Sequence, residues 1–298
     1  MSALSVKKAI FPVGGLGTRF LPATKSMPKE MLPVVDKPLI QYAVEEAAEA
    51  GIDEFIFVTG RGKSAIEDHF DHSMELEQTL QSRDKKEALK LVQSMMRDPG
   101  SVAYIRQQEP KGLGHAVWCA RHLIGDQPVA ILLADDLILP KKGQKGCLAE
   151  MVEAWSKTGG NMVASMSVAP EQTASYGIIT PGEILGEMAG ALTEVKGLVE
   201  KPKPEDAPST LAVVGRYIIE PGVFAELDKQ EAGKGGEIQI TDSLARRIGH
   251  VPFHGLNFSG TRYDCGSKIG FLEANIAFAL ARDDLSEELT QWLKDLDV

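Results

Sequence analysis

Short apolar runs alternate with helical patterns along the first half of the chain. Residues 8–13 and 54–59 predict buried strands, and a glycine turn follows each of them. Between the two strands, apolar residues recur at helical spacing, at Ile40, Ala43, Val44, Ala47 and Ala48. Pro38 suits the first turn of this helix, and Gly51 suits its end. Strands that alternate with helices indicate βαβ units.

The same pattern continues and then becomes less regular after about residue 160. Residues 72–97 predict a long, charged helical arm, and strand-like runs occur at 102–106, 128–134, 161–168, 196–200, 211–219 and 251–256. We therefore predict an α/β fold with a three-layer, doubly wound (Rossmann-like) mixed sheet that is mainly parallel.

The end of the chain predicts helix. We assign residues 1–266 to the α/β domain and residues 267–298 to a C-terminal helical extension. Within this extension one helical face is apolar, at Leu285, Leu289, Trp292, Leu293 and Leu296. We expect that face to pack on the core or against a partner chain, at an oligomer interface.

Three polar segments each follow a predicted strand: the loop at Gly14, the loop 107–115, and the pair Asp135–Asp136. In open parallel sheets, ligands bind outside the carboxyl ends of the strands. We therefore predict that all three segments line one crevice.

Charge and cysteine content narrow the class of protein. The 298 residues carry a formal net charge of -10, which argues against nucleic-acid or anionic-membrane binding. The three cysteines form no C-x-x-C pair, which fits a reducing compartment. The apolar run near the start is too short for a signal peptide or a membrane span, so we expect a cytoplasmic location.

The glycine-rich segment from Gly14 to Lys29 is the strongest candidate for chemistry. Its glycines allow a ligand to approach the backbone closely, and Arg19 and Lys29 add cations, so the segment suits a triphosphate. A Rossmann fingerprint is excluded because Phe20 stands where the third glycine belongs. A P-loop ending at residues 62–64 is excluded because Phe57 replaces its first glycine.

The segment 14–33, G-G-L-G-T-R-F-L-P-A-T-K-S-M-P-K-E-M-L-P, resembles the G-x-G-T-R-(x)n-P-K signature of the sugar-nucleotide pyrophosphorylases. Further blocks extend the resemblance over residues 7–282: V-D-K-P-L-I-Q-Y (35–42), I-E-D-H-F-D (66–71), K-G-L-G-H-A-V (111–117), V-E-K-P (199–202), V-G-R-Y (214–217), G-E-I-Q-I-T-D (236–242) and D-C-G-S-K-I-G (264–270). The later blocks resemble the uridylyl branch of the family more than its other branches.

The resemblance implies the nucleotide-diphospho-sugar transferase fold and a reaction of UTP with glucose 1-phosphate that gives UDP-glucose and pyrophosphate. It also implies Mg²⁺ as cofactor and a homodimer or homotetramer. The attacking phosphate oxygen is already an anion, so catalysis should depend on positioning and charge neutralisation rather than on a general base. Two alternatives stay open, a dTTP-dependent glucose-1-phosphate thymidylyltransferase and a non-catalytic nucleotide-sugar-binding protein.

The resemblance also implies roles for single residues. Catalytic cations are expected at Arg19, Lys29 and Lys201. Nucleotide-binding positions are expected at Gly14, Gly15, Gly17, Gln107 and Gly112, and sugar-binding positions at Asp136, Gly177, Glu200 and Gly215. The expected metal ligands are Asp135 and Asp264, and the resemblance leaves open whether Asp135 or Asp136 is the main one. For His115 we expect a structural role, in orienting its loop or starting the next helix.

Overall fold

The computed structural model describes residues 5–186 and 191–296. Its strands, in chain order, are β1 (Lys8–Val13), β2 (Pro33–Val34), β3 (Lys37–Pro38), β4 (Glu54–Thr59), β5 (Val102–Arg106), β6 (Val129–Leu132), β7 (Asp136–Leu139), β8 (Asn161–Ser167), β9 (Gly177–Leu185), β10 (Leu192–Glu200), β11 (Leu211–Ile219), β12 (Phe253–Asn257) and β13 (Thr261–Asp264). Its α-helices are α1 (Leu39–Glu49), α2 (Ser64–His69), α3 (Met74–Ser82), α4 (Lys86–Ser94), α5 (Leu113–Cys119), α6 (Arg121–Ile124), α7 (Cys147–Thr158), α8 (Gly222–Leu227), α9 (Ile240–Ala245), α10 (Lys268–Leu280) and α11 (Ser286–Asp295).

Nine of these strands form the central sheet, in the order β5-β4-β1-β6-β11-β8-β12-β10-β9. The quartet β5-β4-β1-β6 is parallel, and so is the pair β8–β12. The pairs β6–β11, β11–β8, β12–β10 and β10–β9 are antiparallel. The sheet is therefore mixed, as predicted, but the prediction that it is mainly parallel is wrong. Consecutive strands such as β9 and β10 pair directly, which antiparallel geometry permits without a crossover helix.

Helices cover both faces of the sheet. Successive residues of β1 point to opposite faces, so that Phe11 joins one apolar cluster and Ile10 joins the other. The first cluster includes buried residues of α1 and α7, and the second includes residues of α5, α8 and α9. This arrangement gives the three layers that the alternating sequence pattern predicted.

Two helical predictions can be compared with the structure. The predicted helical arm over 72–97 consists of two helices, α3 and α4, and Asp84 between them has a left-handed φ of 55° that interrupts the helical backbone. The apolar face of α11 does not enter the core of the described chain, because Trp292 is 57% exposed and Leu296 is 41% exposed. By contrast, α10 packs against the α/β domain, where Phe271 lies against Phe20 with ring centroids 5.5 Å apart. No helix among the described residues is long and apolar enough to cross a membrane.

Candidate active site

Two adjoining cavities open at the carboxyl ends of β1, β5 and β6. The first, here the loop cavity, has a volume of about 340 Å³, and among the residues that line it are Gly14, Gly15, Lys29, Gln107 and Gly112. The second, here the strand cavity, has a volume of about 400 Å³, and its lining includes Arg19, Asp136, Gly177, Glu200, Lys201, Gly215 and Asp264. Asp135 lines both. The prediction that the three strand-end segments share one crevice is therefore confirmed.

Asp135 and Lys29 form an ion pair where the two cavities meet. Burial by itself would lower the pKa of Lys29, but the neighbouring carboxylates of Asp135 and Glu30 outweigh it and raise that pKa. Burial would likewise raise the pKa of Asp135, but Lys29 holds it below its ordinary value. Both groups are therefore charged at neutral pH.

A second, deeper ion pair lies behind Lys29. The Nζ atom of Lys63 donates to Oε2 of Glu30 over 2.6 Å, and the two residues are only 5% and 1% exposed. Lys63 thus neutralises the carboxylate next to Lys29 in sequence, which leaves Lys29 free to reach Asp135. Lys63 belongs to the glycine-lysine-serine run that did not fit a P-loop, and its role here is a packed counter-charge.

Asp135 and Asp264 face the same small space beside Gly266. Oδ2 of Asp135 and Oδ1 of Asp264 lie 3.2 and 3.0 Å from the position that a Cβ atom would take on Gly266, and Arg19 donates to the Gly266 carbonyl over 3.3 Å. In the part of the chain that the structure describes, no three His, Cys, Asp or Glu side chains gather around one point. Two carboxylates completed by phosphate oxygens and water are typical of Mg²⁺ sites. The donor set therefore fits a metal shared with a phosphate ligand.

Asp136 lies on the floor of the strand cavity and is engaged by protein donors. Its Oδ1 accepts from Nε of Arg262 over 2.6 Å, and its Oδ2 accepts from the Gly215 backbone N–H over 2.8 Å. Only 6% of the residue is exposed. Gly215 must lack a side chain, because a Cβ there would fall within 3.0 Å of Cβ of both Leu133 and Asp136. Asp135, which is less enclosed, is thus better placed than Asp136 to hold a metal.

Glu200 and Lys201 occupy the far end of the strand cavity. The hydroxyl of Thr241 donates to Oε2 of Glu200 over 2.7 Å, and Nζ of Lys201 lies 3.3 Å from its Oε1. Gly177 lies close to Glu200, since a Cβ on Gly177 would be 3.4 Å from Oε2 of Glu200. Lys201 has a left-handed φ of 47°, a strained conformation for a lysine and one that is frequent at functional sites.

Gln107 stands against the glycine loop on the opposite side. Its Oε1 lies 3.1 Å from the position of a Cβ on Gly14, and its Nε2 donates to the Gly112 carbonyl over 3.2 Å. Gly112 has a φ of 107°, and the loop that contains it is held by a 2.8 Å hydrogen bond from the Ile238 N–H to the Lys111 carbonyl. The block 236–242 therefore supports the loop 111–114, a contact that sequence spacing does not reveal.

Gly17 is the one predicted site residue that lines neither cavity. It has a φ of 67°, and a Cβ on it would lie 3.0 Å from Cβ of Lys29 and 3.2 Å from Cγ2 of Thr24. Its carbonyl accepts from the Thr24 hydroxyl over 2.7 Å. Gly17 therefore makes room for the stem of Lys29 instead of contacting the cavity.

Sequence reasoning missed several residues that line the strand cavity. Arg262 binds Asp136 and also donates to the Tyr176 hydroxyl over 2.9 Å, and Thr241 binds Glu200. The only available signal was position, since Arg262 lies two residues before Asp264 and Thr241 lies within the block 236–242.

Comparisons with known proteins agree with this geometry. The nucleotidyl transferase family model matches residues 8–279. The chain is 54% identical over 264 residues to the UTP–glucose-1-phosphate uridylyltransferase of Komagataeibacter xylinus, covering 89% of this chain and 90% of that one. It is 47% identical to the UTP–glucose-1-phosphate uridylyltransferase of Bacillus subtilis (strain 168), covering 98% and 97% of the two chains. A crystal structure of UDP-glucose pyrophosphorylase complexed with UDP-glucose superposes with a TM-score of 0.81 at 45% identity, covering 93% of this chain and 100% of that one. The chain therefore belongs to the nucleotidyl transferase family and, within it, to the UTP–glucose-1-phosphate uridylyltransferases.

Proposed function

We propose that this protein transfers the uridylyl group of UTP to glucose 1-phosphate, which gives UDP-glucose and pyrophosphate. The observation that carries the proposal is the pair of cavities that meet at Asp135, with the cations Lys29 and Arg19 near the junction. A nucleotide fits the loop cavity and a sugar phosphate fits the strand cavity, so their phosphates meet where the positive charge is concentrated.

The reaction needs one bond to form and one to break. A phosphate oxygen of glucose 1-phosphate attacks the α-phosphorus of UTP, and the bond from that phosphorus to the bridging oxygen of the β-phosphate breaks. The electron pair of that bond leaves with pyrophosphate. Lys29 and Arg19 offset the negative charge of the triphosphate, and Lys201 offsets that of the sugar phosphate. No base has to remove a proton, because the attacking oxygen is already ionised.

Asp135 and Asp264 are the residues that would hold a divalent cation, which we propose is Mg²⁺. When bound, such a cation supplies further neutralisation at the phosphate oxygens. The pairing of Asp135 with Lys29 keeps this carboxylate ionised and oriented toward the junction. Asp136, which is occupied by Arg262 and Gly215, holds the floor of the cavity in shape.

The two ends of the site would set the substrates. Glu200 is ionisable and accepts hydrogen bonds, so its oxygens suit sugar hydroxyls, with Gly177 allowing close approach. Gln107 and the backbone of Gly14, Gly15 and Gly112 surround the space for the base.

Turnover with a panel of triphosphates tests the proposal. Purified protein is incubated with glucose 1-phosphate, Mg²⁺ and UTP, dTTP, CTP or ATP, and both pyrophosphate and nucleotide sugar are measured. UTP should give the highest kcat/KM, and removal of divalent metal by a chelator should abolish turnover. The matched variants Asp135→Asn and Asp71→Asn should differ sharply, because Asp71 is exposed and lines neither cavity.

Three results would contradict the proposal. A higher kcat/KM for dTTP than for UTP would favour a thymidylyltransferase. Binding of UDP-glucose without turnover of any triphosphate would favour a non-catalytic binding protein. Full activity after chelation of divalent metal would refute the proposal that Asp135 and Asp264 hold a cation needed for turnover.

We also propose that the chain forms a homodimer or homotetramer through its C-terminal segment, residues 267–298, the last two of which lie outside the described residues. One face of α10 exposes large apolar side chains at helical spacing, namely Ile269, Leu272, Ile276 and Leu280. Light scattering after size exclusion should show an oligomer for the wild type and a smaller species for Ile276→Glu. Glu273→Gln, a change at a polar residue of the same helix, should leave the mass unchanged. A monomeric wild type would refute this proposal. A cytoplasmic location stays a prediction.

A further inference from the structure

The amide nitrogen of Gln107 is held by two partners, the Gly112 carbonyl and the His115 ring. This atom, Nε2, lies 3.2 Å from the Gly112 carbonyl oxygen and 3.0 Å from Nδ1 of His115. A backbone carbonyl can only accept a hydrogen bond, so the amide atom that faces it must be the nitrogen. The amide oxygen, Oε1, therefore points away from both partners and lies against Gly14.

This geometry also determines the protonation state of His115. The two N–H bonds of the Gln107 amide are directed to Gly112 and His115, so Nδ1 of His115 must accept. The ring is then neutral and carries its hydrogen on Nε2. If Nδ1 were protonated, a donor would face a donor, and the amide could keep only one of its two partners.

The surroundings of His115 favour this neutral form. His115 is 8% exposed and its ring stacks on Trp118, and the Arg121 guanidinium lies 3.6 Å from the centroid of the indole ring. Burial lowers the pKa of His115, and the positive charges of Lys111 and Arg121 lower it further, whereas Glu109 opposes them. Sγ of Cys119 lies 4.0 Å from Nδ1, and burial raises the pKa of its thiol. Arg106 and His122 line the same cavity as His115.

We propose that His115 is a positioning residue that fixes the Gln107 amide with its oxygen toward the loop cavity, so that the site favours a base with an N–H at its pairing edge, such as uracil, over cytosine. This inference rests on the proposed function, because it concerns the base of the same substrate. The oxygen of Gln107 would accept from N3–H of uracil. Cytosine has an unprotonated N3 at that position, so two acceptors would face each other.

Equilibrium binding separates this inference from catalysis. The affinities of UTP, dTTP and CTP are measured by calorimetry for the wild type, His115→Phe and His115→Asn. Phenylalanine keeps a ring for stacking on Trp118 but removes the acceptor. Asparagine places an amide oxygen near the position of Nδ1 and restores the acceptor.

The expected pattern is specific. His115→Phe should lose about tenfold in affinity for UTP and for dTTP, roughly the value of one well-formed hydrogen bond, while its affinity for CTP should hardly change. His115→Asn should bind UTP within about threefold of the wild type, since its oxygen replaces the lost acceptor. Thermal unfolding of each variant checks that the fold is intact.

A pH titration of the wild type provides a second measurement that needs no variant. The ratio of UTP to CTP affinity cancels the titration of the phosphates, which both nucleotides share. The ratio should be constant at neutral pH. It should fall once the pH drops below the ordinary pKa range of histidine, because Nδ1 then gains a proton. The titration must stay above the pH at which cytosine N3 itself gains a proton, and over that range the ratio in His115→Asn should stay constant.

Two outcomes would overturn the inference: an unchanged preference for UTP in His115→Phe, or equal losses in His115→Phe and His115→Asn, which would assign the effect to ring packing. These outcomes are independent of the proposed function. If UTP affinity depends on His115 as expected but the wild type forms no UDP-glucose, the proposed function alone is refuted. A wild type that forms UDP-glucose while His115→Phe keeps its preference would refute the inference alone.

Discussion

Replacement of Arg216 by methionine should strongly destabilise the protein. Arg216 is fully buried, and all five of its N–H donors are used. It binds both carboxylate oxygens of Glu46, with Nη2 to Oε2 at 2.7 Å, and it donates to the carbonyls of Leu133, Gly215 and Asp136 over 3.1, 3.3 and 2.8 Å. The carbonyls of Leu133 and Asp136 flank Asp135, so Arg216 stabilises the turn that contains Asp135.

The size of the effect follows from these contacts. Loss of the guanidinium leaves the Glu46 carboxylate in a mostly buried position without its counter-charge, and breaking such a pair costs about 3–5 kcal/mol. In the double variant Glu46→Leu/Arg216→Met the stranded charge is gone, so part of the stability should return. The recovery should be partial, because the carbonyls that Arg216 bound still lack a donor. Each buried carbonyl left unpaired costs about 1–3 kcal/mol of stability.

Urea unfolding followed by far-UV circular dichroism measures these differences, and turnover is measured on the same samples. The matched control is Arg282→Met, because Arg282 forms exposed ion pairs with Asp36 and Asp284, and exposed ion pairs contribute little to stability. The reasoning would be refuted if Arg216→Met cost no more than Arg282→Met, or if the double variant were no more stable than Arg216→Met alone.

Three further predictions concern the cavities. Gly215→Ala should lower the free energy of unfolding by about 1–3 kcal/mol and should also lower kcat, because its Cβ would overlap Asp136. Unchanged unfolding and turnover would contradict this prediction. Glu200→Gln should raise KM for glucose 1-phosphate by about tenfold and leave KM for UTP unchanged, and a rise for UTP instead would reverse the assignment of the two cavities. The pKa of Asp135 is lowered and that of Lys29 is raised, so the stabilisation by this pair should be present at neutral pH. It should be lost as pH falls through the pKa of Asp135 or rises through that of Lys29, and the difference in unfolding free energy between wild type and Lys29→Met should shrink at both extremes.

Local patterns were sufficient for the parallel half of the sheet. The apolar runs at 8–13 and 54–59 correspond to β1 and β4, and a strand buried on both faces produces such a run by itself. Since the carboxyl ends of neighbouring parallel strands meet at one edge, their order also placed the segments at Gly14, Gln107 and Asp135 together.

The antiparallel half was predicted less completely. The runs at 161–168, 211–219 and 251–256 correspond to β8, β11 and β12, but β9 was not predicted and β10 was predicted only in part, because their residues alternate irregularly and gain their burial from distant partners. The strands β7 and β13, which pair with each other outside the central sheet, were not predicted either. Nothing in the local sequence around Asp136 shows that Arg262 and Gly215 will occupy its two oxygens.

The sequence by itself determined the βαβ character of the first half, the absence of a fitting P-loop or Rossmann fingerprint, and, through its motif blocks, the family. Only the tertiary structure decided which predicted residues face ligand: Asp135 opens to both cavities, Asp136 is occupied by protein donors, and Gly17 makes room for Lys29. It also showed that Lys63 and Arg216 act as buried counter-charges. The physical reason is that periodicity records which side of an element is buried, whereas the partner of a polar side chain lies on a segment distant in sequence, 33 residues away for Lys63 and Glu30 and 170 for Arg216 and Glu46.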